Sequence, residues 1–383
     1  VSVITAGNPQ YQAGGKLYVA GNPEIIISAS DSGSGVKKTE YGLDGGAFVT
    51  YTVPITFAAF ADGAHTITYR STDNIGNTEA DKMLEVVVDK TPPATELKLG
   101  DPNYTSSQGV KFITSNTLIT LIAADNLSGV SKTEYRTDSG AWTLYAPFSI
   151  SAEGTHTIEY RSMDNVGNAE AIKTFNVVVD NTPPVTEITT GDTKFTSSDG
   201  KLYVTGSTAF TLSSTDNLSG VAKTEYRIDS GAWTVYAPFK VTSEGIHTIG
   251  YRSNDNLGNT EAEKTLAIVV DNAPPSSVIT VGDPKYQASE KLYISGKTGI
   301  SITAVDSGSG VSRIEYSVDN GAFSVYKEAV NLSTYQEGTH TIYYRSTDNL
   351  GNVEGAKTLA VILDKTSPQT TISASDPLIA GAV

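Results

Sequence analysis

The chain has 383 residues, and 27 basic against 42 acidic side chains leave a net charge of −15. That balance argues against nucleic acid, whose phosphates need a Lys/Arg surface, and against anionic lipid on the same ground. With no cysteine, disulfides, a thiol nucleophile and Cys-ligated zinc are excluded.

A hydrophobic share of 38% with 20 Tyr is enough for a folded core. No run approaches the roughly 18 apolar residues of a membrane helix; the clean apolar stretch around 57–61 is short. At about 100–200 residues per domain, the length implies two to four domains. The chain starts at Val1 without a signal peptide, which reads as a mature form or a fragment.

The four histidines, His65, His156, His247 and His340, each precede Thr-Ile and are spaced by 91, 91 and 93 residues. This is an internal repeat. The same steps separate the ends of the copies: Asp89-Lys-Thr-Pro-Pro, Asp180-Asn-Thr-Pro-Pro, Asp271-Asn-Ala-Pro-Pro and Asp364-Lys-Thr-Ser-Pro. The expected domains are therefore 1–91, 92–182, 183–273 and 274–366, with 367–383 as the first strand of a fifth copy. The whole reads as a window from a longer array.

The third copy, taken in chain order, predicts strands over 185–189, 201–204 and 209–213, then the loop Asp216-Asn-Leu-Ser-Gly220. A strand over 224–228, the tight turn Asp229-Ser-Gly231 and a return over 233–236 follow. A strand over 246–252 puts Ile249 and Tyr251 on one face. The turn Asp255-Asn-Leu-Gly-Asn259 and a strand over 265–270 close the copy. Thr, Tyr, Val and Ile dominate and no segment has helical periodicity. Seven or eight short strands in about 90 residues predict an antiparallel two-sheet sandwich. A membrane barrel is disfavoured, because the Pro-Pro breaks recur at domain spacing and the strands are short.

Three segments carry a resemblance: the loop Asp125-Asn-Leu-Ser-Gly-Val, the run from Tyr160 through Asp164-Asn-Val-Gly-Asn to Glu170, and the boundary Val179-Asp-Asn-Thr-Pro-Pro. In these the chain resembles bacterial immunoglobulin-like surface repeats, which occur in large secreted adhesins and stalks; similar repeats also carry a label taken from an outer-membrane β-protein. The resemblance spans essentially the whole chain. It implies tandem all-β, antiparallel Ig-like sandwiches arranged head to tail as an elongated rod, extracellular or at the cell surface. Some relatives bind calcium at domain junctions.

Two acidic loops recur in each copy. Asp31, Asp125, Asp216 and Asp306 stand in the earlier one; Asp73, Asp164, Asp255 and Asp348 stand in the later one, followed by Glu79, Glu170, Glu261 and Glu354. Calcium takes six to eight oxygens from carboxylates, amides and carbonyls, and these loops supply all three types. Asp, Asn and Gly are also plain turn formers, so turn chemistry alone accounts for either loop. In an Ig-like sandwich both loops lie at the end where the first strand starts, and the last strand ends at the opposite pole. Head to tail, three junctions then gather carboxylates that would repel each other without a cation: Asp89 with Asp125 and Asp164; Asp180 with Asp216 and Asp255; Asp271 with Asp306 and Asp348. The pattern is neither an EF-hand nor a Gly-Gly-x-Gly-x-Asp repeat.

Each histidine shares the parity of the inward Ile and Tyr, which places it at the mouth of the core, as packing or as a pH sensor. Glu40, Glu134, Glu225 and Glu315 face Arg70, Arg161, Arg252 and Arg345 across neighbouring strands. Trp142 and Trp233 are replaced by Phe48 and Phe323 at the matching positions of the other two copies, which favours sheet packing over sugar stacking. No catalytic signature occurs, and the carboxylates recur in every copy, so the expectation is a non-enzymatic structural or adhesive stalk with calcium at its joints. The alternatives are a subunit of a surface layer or filament, and a carbohydrate-binding accessory array. The partner is an unidentified surface receptor, a glycan or the chain itself.

Overall fold

The computed structural model describes residues 1–373. These residues are all-β: strands and turns without a helix. Spatially the chain divides into two compact units. One holds 1–184 together with the loops 215–222 and 254–260; the other holds 185–214, 223–253 and 261 onward.

Within the first unit, the second copy shows the plan. Ala94–Leu99 pairs antiparallel with Ile119–Ala124 as a two-stranded sheet. A six-stranded sheet runs in the order Asn103–Thr105, Lys111–Ile113, Lys173–Val179, Gly154–Asp164, Val130–Thr137, Thr143–Leu144. Between the sheets lie Ile113, Ile119, Leu121, Ile150, Ile158, Tyr160, Val177 and Val179, all buried. Each such side chain contributes about 1.5–3 kcal/mol on burial. Equivalent cores gather around Ile67 in the first copy, Ile249 in the third and Ile342 in the fourth.

The sandwich plan holds, with one correction to its antiparallel pairing and two added strands. Lys111–Ile113 runs parallel to the last strand, pairing Phe112 with Val178 and Ile113 with Val179. The same parallel contact recurs in the other copies, so the larger sheets are mixed. The third copy also has two unexpected short strands, Lys194–Thr196 and Phe239–Lys240, the latter widening its small sheet to three strands. Strands of two or three residues show too little alternation to be read from sequence. Residues 367–373 form no strand; the rest of the expected fifth copy lies outside the described residues.

The longest strand of each copy organises the rest. Along Gly154–Asp164, period-two alternation puts His156, Ile158, Tyr160, Ser162 and Asp164 on one face, and the last four are buried. At its start, His156 Nδ1 meets Asp138 Oδ2 at 2.7 Å and Nε2 meets the Ala152 carbonyl oxygen at 2.8 Å. Asp138 sits in the hairpin turn at φ 50°, a conformation that Asp tolerates better than most residues. Its Oδ1 accepts the Thr157 N–H at 2.9 Å. His65 with Asp44, His247 with Asp229 and His340 with Asp319 repeat the arrangement.

Both ring nitrogens face acceptors, and only an imidazolium can donate twice. The Asp138 hydrogen bond raises the His156 pKa above its ordinary value, against a smaller opposing effect of burial. A pKa raised in the folded state gives stability that is complete below the unfolded value near 6.5 and lost as pH rises through the folded value. Melting temperature should therefore fall as pH rises from about 6.5, and His156→Gln should remove the share due to the second copy. The loss should stay below about 1 kcal/mol per pair because the carboxylate is half exposed. A melting profile flat through this range, or unchanged by the substitution, would show that the ring is neutral.

Candidate metal centre

Each earlier acidic loop is folded by its own aspartate. Asp125 Oδ2 accepts the N–H groups of Leu127 at 3.1 Å and Gly129 at 2.7 Å. Gly129 stands at φ 80°, which a side chain would strain. The later loop uses the same device. Asp164 Oδ1 accepts Val166 N–H at 3.0 Å and Asn168 N–H at 2.8 Å, and its Oδ2 accepts Asn168 Nδ2–H at 2.6 Å. The turn-forming chemistry is thus present, but it leaves lone pairs unused.

The strand-end aspartate closes the group. Asp89 follows the last strand of the first copy; its Oδ2 accepts Ser128 N–H at 2.9 Å, and its backbone oxygen accepts Asn168 Nδ2–H at 2.9 Å. Asp180 meets Ser219 and Asn259 in the same way at 2.9 and 3.0 Å, and Asp271 meets Ser309 and Asn352 at 2.6 and 3.1 Å. Three triads result: Asp89, Asp125 and Asp164; Asp180, Asp216 and Asp255; Asp271, Asp306 and Asp348. In each, one oxygen from every carboxylate lies within 4.8 Å of the other two. The first two triads belong wholly to the first unit and the third to the second.

The electrostatics are unfavourable as they stand. Asp89, Asp164, Asp180, Asp255, Asp271 and Asp348 are each at most 2% exposed. Burial pushes the Asp164 carboxyl above its ordinary value; the Asn168 hydrogen bonds oppose this, and the charge of Asp89 adds to it. Asp125 Oδ1 and Asp216 Oδ1 are sealed from solvent without any hydrogen-bond partner. A buried, unpartnered carboxylate oxygen among two other carboxylates is the arrangement that a cation satisfies. Oxygens on one calcium sphere lie at most about 5 Å apart, so these atoms fit a single ion.

The structure places the nine sequence-chosen aspartates in these triads, while Asp31, Asp73 and Asp364 belong to no such group among the described residues. It sends the four glutamates elsewhere. Glu170 accepts Thr95 N–H at 2.9 Å, the Thr95 hydroxyl at 2.6 Å and Ser162 N–H at 3.2 Å, and pairs with Lys173 at 2.6 Å. Lys173 also donates to the Thr95 carbonyl oxygen at 2.7 Å. The pair clamps the first strand onto the longest one. Glu79, Glu261 and Glu354 clamp Ser2, Thr186 and Ser277 in the same manner. Burial pushes the Glu79 carboxyl up, but bonds from Ser2 and Lys82 outweigh it and bring it down to about 2.

Sequence reasoning missed this clamp, although its signal was present: a lysine stands three residues after each of the four glutamates, at 82, 173, 264 and 357. It also missed Asn168, Asn259 and Asn352, which tie each strand-end carbonyl to the later loop. The Trp rings lie under guanidinium groups. Arg136 and Arg161 sit over Trp142 at 4.8 and 4.5 Å, and Arg227 and Arg252 over Trp233 at 4.9 and 4.2 Å. This is sheet-surface packing.

The fold and the triads describe tandem all-β sandwich repeats, with acidic groups built from successive copies. No protein-family model matches the chain, and no curated protein matches it. Among solved structures it is similar to fibronectin(III)-like modules of Clostridium thermocellum CbhA, at 19% identity over 46% of this chain and 94% of that one, with a TM-score of 0.28. It is also similar to a tetra-tandem repeat in the extending region of a large adhesion protein, at 14% identity over 96% of this chain and 100% of that one, with a TM-score of 0.34. A third similarity, to dimeric latent PorU from Porphyromonas gingivalis, has 14% identity and a TM-score of 0.20, and covers 85% of this chain and 34% of that one.

Proposed function

We propose that this chain is a non-enzymatic, extracellular structural or adhesive stalk segment whose four repeats, 1–91, 92–182, 183–273 and 274–366, are joined by calcium. The observation that carries the reading is the make-up of the triads. Each takes one aspartate from the strand end of one repeat and two from loops of the next, so a bound ion ties successive repeats. Oxygen-only donors select a hard cation, and extracellular modules bind calcium at roughly 0.1–1 mM, the concentration range outside cells.

The test is calorimetric titration of the whole chain with calcium. Three ions per chain are expected, falling to two in Asp180→Ala. Substituting Asp31, Asp73 or Asp364 should leave the stoichiometry at three. Equal losses at all four positions would place the ions inside single repeats and overturn the joint reading; no binding would leave the loops as turns only.

A further inference from the structure

The earlier loops of the three triads differ: Asn-Leu follows the loop aspartate in the first two, and Ser-Gly follows it in the third. Leu127 and Leu218 stand two residues after the loop aspartate in the first two, and Gly308 stands there in the third. A Cβ built on Gly308 would collide with the Asp271 carboxylate. Asp271 therefore occupies a place that the Leu127 and Leu218 side chains deny to Asp89 and Asp180. It lies closer to the loop backbone, with its Oδ2 2.6 Å from Ser309 N against 2.9 Å at both other sites. The loop oxygens differ in parallel: Oδ1 of Asp125 and of Asp216 are sealed and unpartnered, whereas Asp306 Oδ1 is not among the sealed, unpartnered atoms.

We infer that Leu127 and Leu218 against Gly308 grade the three sites, the first two binding calcium tightly and the third weakly and with faster release. This rests on the calcium reading and deepens it. At the first two sites the orphaned oxygen has no competing partner, so the ion satisfies a group that otherwise costs stability. The Leu side chain keeps the strand-end carboxylate at the longer 2.9 Å from the Ser128 or Ser219 N–H before the ion arrives, so less reorganisation is needed. At the third site the ion must draw Asp271 away from a short, charge-assisted bond to Ser309. As calcium falls, the joint between the third and fourth repeats should loosen while the two before it hold.

The test is calcium titration of the full chain, with release into excess chelator followed by stopped flow. Two sites of one affinity and a third about tenfold weaker are expected, since site rigidity tunes calcium affinity over such ranges. Release amplitudes should divide two slow to one fast. Asp271→Asn should delete the fast phase alone, and Leu218→Gly should move one slow site into the fast class. Three equivalent sites, or a fast phase that survives Asp271→Asn, would overturn the grading. Absence of any calcium binding would overturn the underlying calcium reading, a result distinguishable from three equal sites.

Discussion

Replacing Glu170 by alanine should cost the second repeat about 2–6 kcal/mol, because two buried backbone amides lose their acceptor at about 1–3 kcal/mol each. The carboxylate is 8% exposed and meets four donor groups: Thr95 N–H, the Thr95 hydroxyl, Ser162 N–H and the Lys173 ammonium. Its loss leaves the buried Thr95 and Ser162 amides without an acceptor and frees the first strand along its inner edge. Small domains are stable by only about 5–15 kcal/mol, and each kcal/mol shifts melting by about 4–8 °C in a domain of this size. Calorimetry should show one transition displaced downward and the others in place. Glu170→Gln keeps an acceptor and the shape, so it should recover part of the loss. The clamp also gives an acid limit. The depressed Glu79 carboxyl adds stability that is complete above the unfolded value near 4.5 and is lost as pH falls towards about 2. An unchanged thermogram for Glu170→Ala would remove the clamp from the stability of the fold.

Saturating calcium should raise stability by about 2.7 kcal/mol per site at 100 times the dissociation constant. The gain should appear in the transitions of the repeats that share a site, and chelator should reverse it. Asp255→Asn should abolish the gain at the second triad while sparing the other two, because Asp255 belongs to that triad and to neither of the others. Magnesium, which holds its waters and demands a tighter octahedron, should substitute poorly. Melting and hydrodynamics indifferent to both calcium and chelator would end the proposal.

Much of this was legible in the sequence because the repeat supplied four readings of each position. The spacing of the histidines located the copies, and the acids at 89, 125 and 164 could be brought together once the sandwich topology placed two loops at one pole. The rest depended on contacts without a local signature. Lys111–Ile113 is too short to declare its parallel partner, and pairing there follows from where the last strand already lies. The histidines were recognisable as core-mouth residues, but their partners Asp44, Asp138, Asp229 and Asp319 stand in hairpin turns that read as turn chemistry alone. Glu170 sat within an acidic loop motif and was grouped with it, although the face of the preceding strand turns it inward to Thr95.

The parallel contact between the third and last strands has a mechanical consequence. In each copy these strands lie near opposite ends of the chain's path through the sandwich, and they run side by side in one direction. A pull along the backbone draws them past one another, so the bonds joining Phe112–Ile113 to Val178–Val179 are loaded together in shear rather than opened one at a time. The last of those residues is followed directly by Asp180, whose carboxylate belongs to the next acidic triad. Tension entering a repeat beside its acidic triad therefore arrives at a strand pair loaded in shear.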